Sequence, residues 1–137
     1  MPNRSNQTSF AKEYHCIPDK CRDQHLPMAP RYASTFRDHG IRGLGLHEAK
    51  PPYEVRRLNF PWHVALITVS GHAEFECLGE VGVMEPGQIW VGPLETAYQY
   101  KAEDDWKFIS AALYRTHEFV HLEGKMLHRD LSHSVEP

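Results

Sequence analysis

Cysteine is scarce in this sequence: three residues in 137, namely Cys16, Cys21 and Cys77. An odd and sparse set does not make a disulfide framework, so a reducing compartment is the simpler expectation. Long apolar runs are missing as well. No window approaches 18 consecutive apolar residues, which argues against a bilayer-spanning helix. The opening stretch Met1-Pro2-Asn3-Arg4-Ser5-Asn6-Gln7 is polar and has no signal-peptide core. Together these absences make the cytoplasm the expected location. An excess of one charge is also lacking, since 15 Lys and Arg stand against 18 Asp and Glu, a formal net charge of −3. That balance offers no footprint for a nucleic-acid backbone or an anionic membrane surface.

What is present fits one compact domain. Hydrophobic residues make up 41% and charged residues 24% of the chain, the composition of an ordinary soluble globular protein. A core of that size supports itself without staples. Residues 1–40 are polar, carry scattered prolines and keep no period, and read as an N-terminal arm with at most a helical turn near Phe10–Tyr14. Gly40, Gly43 and Gly45 break any helix that follows, while Ile41, Leu44 and Leu46 suit one edge strand.

From Tyr53 the pattern changes. Short runs of β-branched and aromatic residues recur, most of them closed by glycine or proline. They are Tyr53–Phe60, Trp62–Ser70, His72–Leu78, Val81–Met84, Gln88–Val91, Thr96–Tyr100 and Trp106–Tyr114. In the third, Ala73, Phe75 and Cys77 fall on one face and His72, Glu74 and Glu76 on the other. Parallel crossovers need a dozen or more residues each, so these runs pair antiparallel. They close their edges as a barrel or jelly roll, and the fold class is mainly β. Residues 41–115 form the barrel. Residues 116–137 form a short helix and tail, because Phe119, Val120, Leu122, Met126 and Leu127 fall at helical spacing.

The stretch Val69-Ser70-Gly71-His72-Ala73-Glu74-Phe75 is followed by Gly79-Glu80, Met84-Glu85-Pro86-Gly87-Gln88-Ile89-Trp90, Gly92-Pro93, Tyr98-Gln99-Tyr100 and Asp105-Trp106. This series resembles the N-terminal cupin domain of AraC-type transcription regulators over roughly residues 53–115. The resemblance implies a cupin-type jelly-roll barrel that senses a sugar (a carbohydrate) or related small polar effector, within a homodimer. DNA would be reached only through a helix-turn-helix domain that this chain does not contain. Two positions depart from the family pattern: Gln88 replaces the aspartate after Pro-Gly, and Tyr98 replaces a histidine.

The metal motif of cupin barrels requires two histidines separated by one residue. After Gly71 comes His72 with no second histidine two places on, and the phenol of Tyr98 is a poor substitute for imidazole. No cofactor and no catalysis are therefore expected. The ligand-binding positions that the resemblance implies fall on Arg56, Tyr100 and Trp106. Tyr98 shares a strand face with Tyr100, and His63 and Trp90 are further candidates. An enzyme is the rival expectation, either a small cupin metalloenzyme or a zinc peptidase. The latter rests on His117-Glu118-Phe119-Val120-His121, an H-E-x-x-H that on a helix would set two imidazoles on one face. His15, Cys16, Cys21 and His25 also bring four potential zinc ligands within eleven residues.

Overall fold

Alternation of apolar and polar residues drives each run of this chain to bury one face, and two such sheets facing each other make the core. The computed structural model describes residues 14–25, 38–114 and 125–131. Its strands are β1 (Tyr14–Cys16), β2 (Arg22–His25), β3 (Ile41–Ala49), β4 (Glu54–Arg57), β5 (His63–Ser70), β6 (Ala73–Cys77), β7 (Glu80–Met84), β8 (Gln88–Gly92), β9 (Tyr98–Ala102), β10 (Trp106–Leu113) and β11 (Leu127–Asp130). No helix among the described residues is long and apolar enough to cross a membrane.

One sheet has the order β1-β4-β9-β6-β7 and the other β11-β8-β5-β10-β3-β2, with every pairing antiparallel. The expected jelly roll is thus the observed architecture. In β6 the side chains of Ala73, Phe75 and Cys77 are buried while Glu74 and Glu76 are half-buried, as the alternation requires. Burial pushes the Cys77 thiol up to about 12, so this cysteine is a packing residue rather than a reactive one.

Two expectations change. The C-terminal helix is replaced, over its last residues, by β11, which pairs with β8 in the register Leu127↔Val91 to Asp130↔Gln88. Without β11, strand β8 would present an open edge of unpaired N–H and C=O groups, and satisfying that edge outweighs a helical spacing only two turns long. The residues between, with His117 and His121 of the H-E-x-x-H, lie outside the described residues. The second change concerns the polar leader. Its strands β1 and β2 extend one sheet each, pairing with β4 and β3.

The corner between β5 and β6 is held by the adjacent turn between β9 and β10. Gly71 has φ +76°, and a Cβ placed on it would stand 2.0 Å from the Asp105 carbonyl oxygen. The neighbouring Asp104 accepts a hydrogen bond from the His72 backbone N–H at 2.7 Å and pairs with His72 Nδ1 at 2.9 Å. Substituting Gly71→Ala forces a side chain into the left-handed region and against backbone at once. We expect it to cost about 1–3 kcal/mol or more, read from urea denaturation.

The same corner carries a pH dependence. The bond to Asp104 raises the His72 imidazole above its ordinary value of 6.5. Its contribution is therefore full below that value and fades as pH rises through the raised one. The Asp104 carboxyl is held below its ordinary 3.8, chiefly by the hydrogen bonds from His72. That contribution is present above 3.8 and disappears as pH falls through the lowered value. Asp104→Asn keeps an acceptor for the backbone N–H but loses the ion pair. The melting-temperature difference between wild type and Asp104→Asn should be largest in mildly acidic solution and shrink toward both extremes.

Candidate functional site

The interior of the barrel is divided lengthwise by residue size. At one end the inner positions carry large rings. Trp106 and Phe108, two apart on β10, stack at 3.8 Å between centroids, and Trp106 Nε1 donates to Thr68 Oγ1 at 3.1 Å. Trp90 meets Tyr98 edge-on at 5.2 Å, and Tyr98 lies parallel to Tyr100 at 6.4 Å. Large rings bury the most apolar area per residue, and these edge-on and stacked arrangements are the favoured ones. This end is filled.

At the other end the inner positions of β3 and β10 become small. Gly43 and Gly45 on β3 face Ser110 and Ala112 on β10, and a cavity of about 270 Å³ opens there. Tyr53, Tyr100 and Phe108 form its floor, where the aromatic packing stops. Its polar lining comes from Asp23 and His25 on β2, His47 on β3 and Ser110 on β10 in one sheet, and from Arg57 on β4 and His15 on β1 in the other. The leader therefore supplies part of the wall through both of its strands.

The positions expected from sequence divide between filling and wall. His63, Trp90, Tyr98 and Trp106 are 0–1% exposed and belong to the packed body of the barrel. Tyr100, 4% exposed, is the one of the six that also lines the cavity. Arg56 faces outward on β4, where its guanidinium pairs with Glu54 two residues back on the same outer face. Period two puts Tyr53, Val55 and Arg57 inward instead, and all three line the cavity. Among the described residues no cluster of three or more His, Cys, Asp or Glu is placed to hold a metal ion. Cys21 instead binds the backbone of Lys50, accepting from its N–H at 3.2 Å and donating to its carbonyl at 3.6 Å.

Arg57 is held over the ring of Phe60, 4.1 Å from its centroid, a cation–π contact that fixes the guanidinium at the cavity. Its buried Nε has no hydrogen-bond partner among the described residues. Burial raises the phenol of Tyr100, while the charge of Arg57 and a hydrogen bond from it pull the other way. Burial likewise raises the phenol of Tyr53 well above its ordinary range. Both hydroxyls are neutral donors at neutral pH, and the guanidinium supplies the positive charge beside them.

Across the cavity, His47 sits between two polar partners. Its Nδ1 is 2.6 Å from Asp23 Oδ1, and its Nε2 is 2.6 Å from Ser110 Oγ. The partners follow from register, because Asp23 is directly opposite His47 and Ser110 is opposite Gly45. The imidazole lies flat on Phe108 at 4.6 Å, with 17° between the planes. Gly45 makes the room: a Cβ there would stand 2.7 Å from His47 Nε2 and 3.0 Å from Ser110 Oγ. The sequence carried one usable sign of this wall, a histidine flanked at ±2 by Gly45 and Ala49 on a strand. The all-exposed, unpatterned Arg22-Asp23-Gln24-His25 gave none.

Gly45→Ala should therefore displace the imidazole and break its bond to Ser110. We expect about 1–3 kcal/mol of destabilisation from overpacking. A changed His47 ring-nitrogen chemical shift should accompany it, with the aromatic end unperturbed.

No protein-family model matches the chain, and no curated protein matches it. Solved structures do. The cupin 2 conserved barrel domain protein from Leptotrichia buccalis is similar over 97% of this chain and 57% of its own, at TM-score 0.62 and 12% identity. KdgF from Halomonas sp. is similar over 80% of this chain and 91% of its own, at TM-score 0.56 and 15% identity. The cupin_2 domain of an XRE family transcriptional regulator from Enterobacter cloacae is similar over 70% of this chain and 98% of its own, at TM-score 0.55 and 13% identity. The fold is that of cupin-type β-barrels, and one of these neighbours is a domain of a regulator.

Proposed function

We propose that this cupin-type barrel is the effector-binding domain of a transcription regulator of the AraC type, and that its ligand is a small polar molecule carrying a negative group. The order of Gly71, Pro86-Gly87, Gly92-Pro93 and Tyr98-Gln99-Tyr100 supports the AraC assignment. The regulator cupin among the structural neighbours supports the general class. In this reading the domain works in a homodimer, and DNA is engaged by a separate domain.

The observation that carries the ligand class is Arg57. A guanidinium stacked on Phe60, with a buried Nε unmatched among the described residues, stands at the wall of a 270 Å³ cavity. A carboxylate or phosphate oxygen of the ligand would meet the guanidinium of Arg57 in a charge-assisted hydrogen bond. The hydroxyls of Tyr53 and Tyr100 then face the ligand's own hydroxyls, and the ring of Phe108 offers an apolar face. The arginine of this reading is Arg57 rather than Arg56, whose guanidinium is turned to Glu54.

Thermal melting with neutral sugars, sugar acids and short hydroxy acids tests the reading. A true ligand at a hundred times its Kd stabilises the fold by about 2.7 kcal/mol. Arg57→Gln should weaken binding by about 1.5–3 kcal/mol, roughly 10- to 150-fold in Kd. Arg56→Gln should leave it unchanged. If no anionic compound raises the melting temperature, or if Arg57→Gln responds like wild type, the reading is wrong.

A further inference from the structure

Ligand binding at Arg57 leaves the opposite wall unexplained. An imidazole bridged between a carboxylate and a serine hydroxyl, each at 2.6 Å, is more than a binding surface requires. We propose that Ser110 is a nucleophile, activated by His47 and Asp23, that accepts an acyl group from a small ester bound in the cavity. This goes beyond the binding reading and assigns the domain an acyl-transfer activity.

Three observations converge on it. The first is the proton inventory. A carboxylate only accepts, so Asp23 fixes the proton of His47 on Nδ1 and leaves Nε2 as the acceptor for the Ser110 O–H. The second is rigidity. The flat stack on Phe108 holds the imidazole plane, and the missing side chain of Gly45 leaves the space in which Nε2 and Oγ meet. The third is access: Ser110, His47 and Asp23 all line the cavity, together with Arg57. Nucleophile, base and orienting carboxylate in hydrogen-bond sequence is the arrangement by which a serine becomes nucleophilic, whatever the fold.

The chemistry balances within these groups and water. Ser110 Oγ bonds to the ester carbonyl carbon as its proton passes to His47 Nε2. The carbonyl oxygen takes up the negative charge, with the Arg57 guanidinium as the cation on the same cavity. Collapse breaks the bond to the leaving oxygen, which receives the proton from His47 and departs as the alcohol. Water then attacks the acyl-serine, giving its proton to His47; the acyl C–Oγ bond breaks, His47 Nε2 returns that proton to Ser110 Oγ, and the acid leaves. Ser110 and His47 are catalytic residues in this scheme, and Asp23 is a positioning residue.

The test uses the full chain and a fluorophosphonate, which forms a stable bond to an activated serine as fluoride leaves. Intact-mass analysis should show one adduct, and peptide mapping should place it on Ser110. Ser110→Ala should give none while melting within a few degrees of wild type. His47→Gln should slow labelling by about 10²–10⁴-fold, the range of general-base assistance. Asp23→Asn should slow it too, and Asp23→Glu should restore part of the rate, a rescue that a merely structural role would not produce. Absence of an adduct on Ser110, or equal labelling of His47→Gln, overturns the proposal. If anionic ligands still raise the melting temperature in that event, the binding reading survives its loss.

Discussion

Trp106, Phe108 and the His47 imidazole form one continuous stack, and both the filled end and the hollow end of the barrel depend on it. The Trp106 and Phe108 rings are 3.8 Å apart and 19° from parallel, and Phe108 and His47 are 4.6 Å apart and 17° from parallel. Two of the three come from alternate residues of β10, so the strand's period puts Ser110 next in line on the same face. The stack begins where Thr68 accepts from Trp106 Nε1, deep in the apolar body. It finishes where His47 meets two polar partners. A single inner face thus passes from packing to chemistry over five residues of one strand.

The transition is one of volume. Rings at Trp90, Tyr98, Trp106 and Phe75 occupy their end, each 0–1% exposed. Glycines and alanines on β3 and β10 cannot fill theirs. Apolar voids of that size are costly, since lining atoms lose their contacts. Here the void is lined by Arg57, His47, Asp23 and two tyrosines, so water or a polar solute satisfies it. Keeping polar groups beside a cavity costs more than packing hydrocarbon, and here both sheets contribute them at one end of the barrel.

How much of this was legible in the sequence differs by element. The barrel itself was, because glycine and proline corners such as Gly71, Gly79 and Pro86-Gly87 bracket runs with a clear period of two. The facing of β4 was legible too, though the alignment to a family pattern pointed elsewhere. Tyr53 and Val55 are inward, and parity alone then selects Arg57 and turns Arg56 out. The two leader strands were not legible. Arg22 to His25 are all exposed, with no hydrophobic face to betray a strand, and their pairing comes from the open edge of β3 rather than from their own composition. The last strand, Leu127–Asp130, was misread as helix for the same reason: four residues fix no period, and the edge of β8 decides.

That origin of β2 bears on the site. Asp23 is set opposite His47 only because β2 adds to the edge of β3 in a particular register, and a slip of one residue would turn Asp23 to the other face. The register is not fixed by a hydrophobic face of β2, which has none. It is held from two sides: Cys21 binds the backbone of Lys50, and the Asp23 carboxylate stands 2.6 Å from Nδ1 of an imidazole packed on Phe108 and bonded to Ser110. Pairing of β2 and orientation of the imidazole are therefore coupled. Strands β1 and β2 are thus part of the cavity wall itself.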